Sequence, residues 1–376
     1  MNFPLKVYPH IRGNRTNNDI LSVVIKAALF VAVWAVYNRF VFYGVETGVH
    51  VVLMIVTACL AGTFAHIGFN MFFDAMEKKR FASFGERILP YTYKIKNGET
   101  IVTGLILSLA MQPTAHIYVV AIVVIFAEVF GKLIYGGYGQ NIFNPVAVGL
   151  IFNALTFGGT VLTVPLPYVT DALSQATPLA GLNTFNWIMT PTQAENFLYT
   201  NGGVLRMLLG LVHGSVGETS RLALLLALGY MIYKKVADWT IPAFYIGSVF
   251  LITLIYGLYI GAGLWYPIIH LLTGGLIFGA TFLATDPVTT PLTRQGKAVF
   301  GILLAMFTLL IRFTSSHAEG VAFSILLVNM LVPFIDQKMY GITSIDINKK
   351  KLSVSIAFIS ATVIVIGFTI LTNVFF

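Results

Sequence analysis

The chain has 376 residues, of which 57% are hydrophobic and only 10% are charged, and its mean hydropathy is +0.83. These values exclude an ordinary soluble domain and predict a polytopic membrane protein. The net charge of +8 does not indicate nucleic-acid binding, because basic residues of membrane proteins collect in cytoplasmic loops. A single cysteine, Cys59, excludes an internal disulfide and any thiolate cluster made by this chain alone.

Apolar segments recur along the whole chain, and most are long enough to cross a hydrocarbon core of roughly 30 Å. They predict an all-α polytopic fold with ten or eleven transmembrane helices. The N-terminal segment before them lacks the short apolar core and the cleavage site of a signal peptide, so we expect that no signal peptide is removed. The candidate helices are 20–42, 49–73, 100–116, 117–136, 145–163, 219–235, 238–260, 264–284, 297–314, 318–335 and 352–375.

Three segments are predicted to be short or broken helices. The segment 100–113 runs into MQPTAH (111–116), 145–157 is followed by GGT, and 204–213 is too short to cross a bilayer. Discontinuous helices of this kind often surround a site inside the membrane.

The positions of Lys and Arg predict the orientation of a single membrane domain, 1–376. The tail 1–19 and the loops 74–99 and 336–351 are basic and should be cytoplasmic. The loop 158–203 contains no Lys or Arg, so we expect it to lie outside.

Two pairs of short matches indicate a possible internal duplication. NGETIVTGLILSL (97–109) is similar to VGETSRLALLLAL (216–228), and NPVAVGLIF (144–152) is similar to DPVTTPL (286–292). Duplicated halves with short helices are typical of transporter-like folds.

The predicted external loop contains a small, polar stretch, TDALSQATPLA (170–180). Pro178 disfavours a helical conformation at Thr177 and leaves its hydroxyl on an extended backbone. No base adjoins it in the sequence, so Thr177 cannot act as a hydrolase nucleophile, although another enzyme could modify it. An ordinary loop threonine is the alternative.

The stretch DALSQATPLA resembles the Asp-x-x-Ser/Thr-Gly-Ala-Thr site at which a flavin transferase esterifies FMN to threonine. The chain resembles the RnfD/NqrB family, membrane subunits of the ion-translocating ferredoxin:NAD oxidoreductase (Rnf) and of the sodium-pumping NADH:quinone oxidoreductase. The other segments that carry this resemblance are PHIRGNRT (9–16), GGYGQNIFNPVAVG (136–149), GSVGETS (214–220), ATDPVTTPLTRQGK (284–297) and EGVAFSILLVNMLVPFID (319–336).

The resemblance implies a covalent FMN on Thr177. Asp171, Ser174 and Ala176 match the family motif around it, whereas Gln175 stands where the family usually has glycine. A bulky side chain there could slow or abolish attachment if the transferase needs close backbone approach.

Two asparagines are candidates for a second flavin. Asn144 precedes Pro145 and should cap a helix, which is a structural role, but this leaves Asn141 unexplained. Amides match the mixed donor and acceptor edge of a flavin ring. The resemblance implies a non-covalent riboflavin near Asn141 and Asn144.

Three further polar residues have both a functional and a structural interpretation. Asp286 is either part of the ion path or a flavin neighbour, or it is an Asp-Pro helix terminus. Glu218 and Thr219 either line the FMN pocket or cap the following helix.

Other polar residues of the apolar segments are given structural roles. Glu128 and Lys132 are one helical turn apart and should form an ion pair. His270 lacks partners at ligand spacing, so we expect no metal site. Arg312 should flank a solvated loop.

The resemblance implies an electron-transfer subunit of an Rnf complex in a bacterial plasma membrane, coupled to sodium or proton translocation. The chain has no Rossmann glycine pattern and no cysteine framework, so NAD and iron–sulfur chemistry would belong to partners. Expected partners are RnfA, RnfB, RnfC, RnfE, RnfG, a flavin transferase and membrane lipid. Alternatives are a channel or carrier for a small solute and a scaffold protein of the same complex without flavin.

Overall fold

The computed structural model describes residues 16–76, 98–158, 190–200, 202–212, 214–218, 220–314, 320–339 and 347–375. These residues form helices and connecting turns, without a β-strand in the described ranges. The helices are α1 (Asn17–Phe42), α2 (Val45–Met76), α3 (Val102–Ala110), α4 (Ile117–Gly131), α5 (Pro145–Phe157), α6 (Pro191–Thr200), α7 (Gly203–Leu209), α8 (Arg221–Tyr233), α9 (Thr240–Tyr259), α10 (Trp265–Leu272), α11 (Leu276–Leu283), α12 (Arg294–Thr314), α13 (Val321–Met339) and α14 (Ile347–Phe375).

Seven of the described helices are long and apolar enough to cross a membrane, and the bent pair α10–α11 makes an eighth candidate. The polytopic all-α prediction is therefore confirmed. Each of the eleven predicted segments contains a helix, but α3, α5 and α8 have only 9, 13 and 13 residues. A total of ten or eleven spans therefore depends on counting these shorter helices.

The short helix α3 begins at the level of the middle of α2, a helix of 32 residues. A Cβ atom on Gly62 of α2 would lie 2.7 Å from the carbonyl oxygen of Thr100, just before α3. Gly62 therefore lets the chain leading into α3 pass close to the α2 backbone. This contact explains why α3 starts within the bundle.

The predicted continuous helix over 264–284 is wrong, because the chain bends by 63° between α10 and α11. The bend occurs at Thr273, Gly274 and Gly275, and Gly274 has a φ of 69°, which favours glycine. The guanidinium of Arg312 donates to the carbonyl oxygens of His270 at 2.9 Å and Thr273 at 3.4 Å. It thus satisfies carbonyls that the broken helix leaves without helical donors.

The Gly-Glu-Thr repeat has a structural counterpart. In both copies the next residue, Ile101 or Ser220, is the N-cap of a short helix, α3 or α8. The two helices run in opposite directions: the amide of Gly217 before α8 donates to Leu109 O at the end of α3, at 2.6 Å, while Val102 at the start of α3 and Met231 near the end of α8 line one cavity. The duplicated segments are therefore inverted relative to each other.

The second predicted pair does not match in structure. Pro145 begins α5, whereas Pro287 lies in a non-helical segment that continues to Arg294. A different match covers most of α5 and the whole of α11, where VGLIFNALTF (148–157) is similar to GGLIFGATFL (274–283).

These two segments are also antiparallel. Asn144 at the start of α5 donates through Nδ2 to Leu283 O at the end of α11, at 3.1 Å. Farther along α5, Gly149 packs on Leu107 of α3, whereas Gly275 at the start of α11 lies against Glu218, the residue after the Gly217 that bonds to the end of α3. The α5–α11 pair therefore repeats the inverted relation of α3 and α8.

Helices reach into several of the segments that were predicted as loops. The segment 158–203 contains α6 and reaches α7, and the basic segment 336–351 contains the end of α13 and the start of α14. The tail 1–19 reaches into α1, and 74–99 includes the last residues of α2. Apolar helices thus extend beyond hydropathy-defined spans by up to one or two turns.

Candidate functional site

A small cavity lies where several short helices meet. It is lined by Asn141, Asn144 and Asp286, which the sequence predicts as site residues, and by Lys132 and Tyr138. The first turns of α1, the start of α3 and the end of α8 form other parts of its wall. The structure therefore brings three predicted residues, separated by up to 145 positions (286 − 141), to one place.

Asn144 is held by protein hydrogen bonds on both sides of its amide. Its Oδ1 accepts from the amides of Val146 at 3.0 Å and Ala147 at 3.2 Å, which is the predicted N-cap. Its Nδ2 donates to Leu283 O at 3.1 Å. Asn144 therefore joins the start of α5 to the end of α11 and has a structural role at the cavity wall.

We expect Asn144→Ala to destabilise the folded protein by about 1–3 kcal/mol, because it removes a helix cap and a buried hydrogen bond to Leu283 O. Asn144→Ser keeps a capping oxygen and should lose less. Thermal unfolding of both variants in detergent, followed by circular dichroism, measures the difference. Equal stability of the alanine variant and the wild type would contradict this role.

Asn141 differs from Asn144 in its hydrogen bonding. It is 6% exposed, and its Nδ2 donates to Phe143 O at 3.0 Å. Among the described residues, none donates a hydrogen bond to Asn141 Oδ1. Of the two amides, Asn141 is therefore the better candidate to contact a ligand in the cavity.

Both carboxylate oxygens of Asp286 accept hydrogen bonds from residues that follow it closely in the chain. Its Oδ1 accepts from the amide of Val288 at 3.3 Å and its Oδ2 from the hydroxyl of Thr289 at 3.2 Å. Burial raises the pKa of Asp286 to about 6, although these hydrogen bonds and the positive charge of Lys132 act in the opposite direction. Asp286 is therefore a carboxyl group that can change protonation near neutral pH.

The raised pKa of Asp286 predicts the direction in which the stability of the protein changes with pH. The ordinary pKa of 3.8 is lower, so the stabilising contribution of protonated Asp286 is fully present below about pH 4 and is lost as the pH rises through about 6. The difference corresponds to about 3 kcal/mol. We expect this contribution to the free energy of unfolding to fall over this range, so the stability of the wild type should drop relative to that of Asp286→Asn by about that amount.

Asp238 is a control, because its contribution to stability changes with pH in the opposite direction. Burial raises the pKa of Asp238, but hydrogen bonds from Lys297 and Thr240 outweigh it, and the pKa is lowered overall. Asp238 therefore contributes stability that is lost as the pH falls through its folded pKa. Unfolding of wild type, Asp286→Asn and Asp238→Asn, measured from below about pH 4 to above about pH 6, separates the two contributions. An Asp286→Asn profile parallel to wild type would contradict the assignment.

An ion pair lies behind the cavity. Lys132 Nζ is 2.8 Å from Glu128 Oε2, and the two side chains are 1% and 0% exposed, so the predicted pair is confirmed. Lys132 also donates to Glu99 O at 2.7 Å. The lysine therefore connects α4 to the Gly-Glu-Thr segment that precedes α3.

The cavity has suitable chemistry for a flavin edge but not the volume. Its volume is about 60 Å³, whereas small-molecule pockets usually measure roughly 300–1,000 Å³. An isoalloxazine ring therefore does not fit while the wall keeps this arrangement. Part of the wall would have to move for the ring to enter.

The other predicted site residues are only partly described. Glu218 is 6% exposed and lies against the helix break, where a Cβ atom on Gly275 would be 2.5 Å from its Oε1. The cap of α8 is Ser220, which accepts from the amide of Ala223 at 3.3 Å, and not Glu218. Thr177, Asp171, Ser174, Ala176 and Thr219 lie outside the described residues.

Three buried arginines were not recognised from sequence as internal residues. Arg312 is 0% exposed, so its predicted place beside a solvated loop is wrong. Arg39 donates to Gly214 O at 3.3 Å, and Arg221 donates to Met207 O at 3.1 Å. The available signal was charge within or beside long apolar segments, where it usually has a specific partner.

The structure defines a polytopic helical membrane protein with inverted short helices around buried polar groups. The chain belongs to the NQR2, RnfD, RnfE family, whose sequence model matches residues 5–341.

Relatives align over most of the chain. The D subunit of the proton-translocating ferredoxin:NAD(+) oxidoreductase complex of Clostridium ljungdahlii is 32% identical over 89% of this chain and 94% of the relative. The D subunit of the Na(+)-translocating ferredoxin:NAD(+) oxidoreductase complex of Acetobacterium woodii is 31% identical over 69% of this chain and 78% of the relative. The D subunit of the ion-translocating oxidoreductase complex of Escherichia fergusonii is 27% identical over 91% of this chain and 99% of the relative.

Proposed function

We propose that this chain is the D-type membrane subunit of an Rnf-type ferredoxin:NAD oxidoreductase and takes part in electron transfer coupled to ion translocation. The observation that carries the proposal is similarity over most of the chain to the D subunits of two such complexes. The names of these relatives include one proton-translocating and one Na(+)-translocating complex. The proposed ion is therefore a proton or sodium.

The proposed cofactor is FMN esterified through its phosphate to Thr177. Asp171, Ser174 and Ala176 would form the sequence that the flavin transferase reads, with Gln175 as the one departure. Glu218 is a candidate neighbour, since it is buried beside the α10–α11 break. When bound, FMN supplies one- and two-electron redox chemistry, and the protein orients it and excludes water.

The second proposed cofactor is riboflavin at the cavity, with Asn141 facing the ring edge and Asp286 nearby. The amide chemistry supports it. The volume of about 60 Å³ opposes it in this conformation. Gly136, Gly137 and Gly139, in the turn that precedes Asn141, have φ values of 112°, 101° and 92°, which favour glycine.

The proposed setting is a bacterial plasma membrane, with the N-terminus in the cytoplasm and the Thr177 segment outside. The distribution of Lys and Arg supports this orientation. Proposed partners are RnfA, RnfB, RnfC, RnfE and RnfG, which would supply the NAD and iron–sulfur sites, together with a flavin transferase during maturation and the lipid of the membrane.

The inverted short helices favour one second candidate, a channel or carrier for a small solute. Inverted membrane vesicles with and without the chain distinguish the two. We expect ferredoxin-driven NAD reduction and coupled ion uptake to require it. Undiminished electron flow in its absence, together with solute flux only in its presence, would indicate a channel instead.

A further inference from the structure

A large apolar groove lies between α9, α12 and α14, away from the site described above. Its volume is about 510 Å³, within the usual range for ligand sites. Phe244 and Leu251 of α9 form one side, Phe358 of α14 forms the other, and Ile302 of α12 lies between them. Gly247 leaves its centre open, because a Cβ atom there would meet no atom within 4 Å.

The groove begins near one end of the bundle. Ala243 and Leu251, its first and last α9 residues, are the fourth and twelfth residues of that helix. At 1.5 Å per residue, the groove therefore extends from about 5 Å to about 17 Å along α9. Half of a hydrocarbon core is about 15 Å, so this depth matches one leaflet of a bilayer.

Aromatic and basic residues lie at the mouth of the groove. Trp239, four residues before Ala243, is 50% exposed, and the guanidinium of Arg294 lies 4.9 Å from its ring centroid. Lys350 and Lys351 precede the lining residues Val354 and Ser355 by one helical turn in the sequence of α14.

Two acidic residues, Asp238 and Asp336, also lie near the mouth, and Asp336 Oδ1 accepts from the amide of Leu292 at 3.0 Å, two residues before Arg294. Asp238 pairs with Lys297 at 2.8 Å, so this pair adds no net charge. In the sequence of the segments that meet at this end, Arg294 and the run Lys349–Lys351 add four positive charges against the two negative charges of Asp336 and Asp346, so positive charge is in excess. Tryptophan and basic residues at such a level are typical of the lipid headgroup region.

We propose that the groove is a specific site for an anionic phospholipid, with one acyl chain lying between α9 and α14 and the headgroup at Trp239 and Arg294. Three observations support it together: apolar lining, a depth of one leaflet, and positive charge at the mouth. A zwitterionic lipid would fill the same apolar volume but would gain less from the basic residues.

Native mass spectrometry of the purified protein, in the assembly in which it leaves the membrane, tests the proposal. Phosphatidylglycerol and phosphatidylcholine are titrated separately. We expect the wild type to bind phosphatidylglycerol at least about tenfold more tightly. Gly247→Phe should fill the groove and lose this tight site, and Arg294→Gln with Lys350→Gln and Lys351→Gln should reduce the preference toward that for phosphatidylcholine.

Gly68→Phe in α2 is the matched control, because a Cβ atom at Gly68 also meets nothing within 4 Å. It should bind phosphatidylglycerol like the wild type. Equal affinity of the wild type for the two lipids, unchanged binding by Gly247→Phe, or an equal loss in Gly68→Phe would each overturn the proposal. The absence of a tightly bound lipid from the wild-type assembly would also overturn the proposal, because it would indicate that a partner helix fills the groove.

Discussion

Lys132→Met is expected to destabilise the folded protein by about 3–5 kcal/mol, a large effect for one substitution. Its partner Glu128 is fully buried and would lose the ammonium group 2.8 Å away. The carbonyl of Glu99 would also lose its donor at 2.7 Å. Chemical or thermal unfolding of the purified variant, followed by circular dichroism, measures the loss.

Two further variants separate the ion pair from general damage. Glu128→Gln combined with Lys132→Met removes both charges and should recover much of the stability, because no buried charge is left without a partner. Lys234→Met removes an exposed lysine and should change stability by less than about 0.5 kcal/mol. A Lys132→Met protein as stable as the Lys234→Met protein would contradict the assigned role.

Thr177→Ala is expected to lower ferredoxin-driven NAD reduction by the assembled complex to the level found without this chain. Alanine has no hydroxyl to form the phosphoester, so the proposed FMN cannot be attached. Thr177→Ser keeps a hydroxyl and should retain flavin and part of the activity. Electron flow is measured in membranes in which co-purification shows that the complex is intact.

Gln175, which stands where the family motif has glycine, provides an independent variant. If its side chain hinders the transferase, Gln175→Gly should raise the fraction of chains that carry flavin, and it should not lower it. Wild-type electron flow in Thr177→Ala would contradict the proposed role of the threonine, whatever Gln175→Gly does.

Local sequence signals predicted much of the fold. Long apolar segments indicated the helices, because each span must satisfy its own backbone. Asn144 followed by Pro145 predicted a capped helix start, and the structure has both features. Glu128 and Lys132, four residues apart in an apolar segment, predicted an ion pair that forms. All of these depend on residues close together in the chain.

Features that depend on distant partners were not predictable in the same way. The break after α10 was missed, although Gly274 and Gly275 mark it, because hydropathy remains high across it. Arg312 looked like a loop residue because its acceptor His270 is 42 positions away. The convergence of Asn141 and Asp286 follows from the inverted packing of short helices, which no local pattern encodes.

The most direct test of the proposed function is the mass of the peptide that contains Thr177, from the complex expressed with an active flavin transferase. Trypsin is unsuitable, because the sequence has no Lys or Arg between Lys132 and Arg206, whereas chymotrypsin can cleave after Tyr168 and Phe185. The proposal predicts a peptide heavier by FMN minus water, absent in Thr177→Ala, and a fluorescent band on a denaturing gel. An unmodified peptide with no fluorescence, while the transferase labels another substrate, would contradict it and would favour a scaffold or a channel.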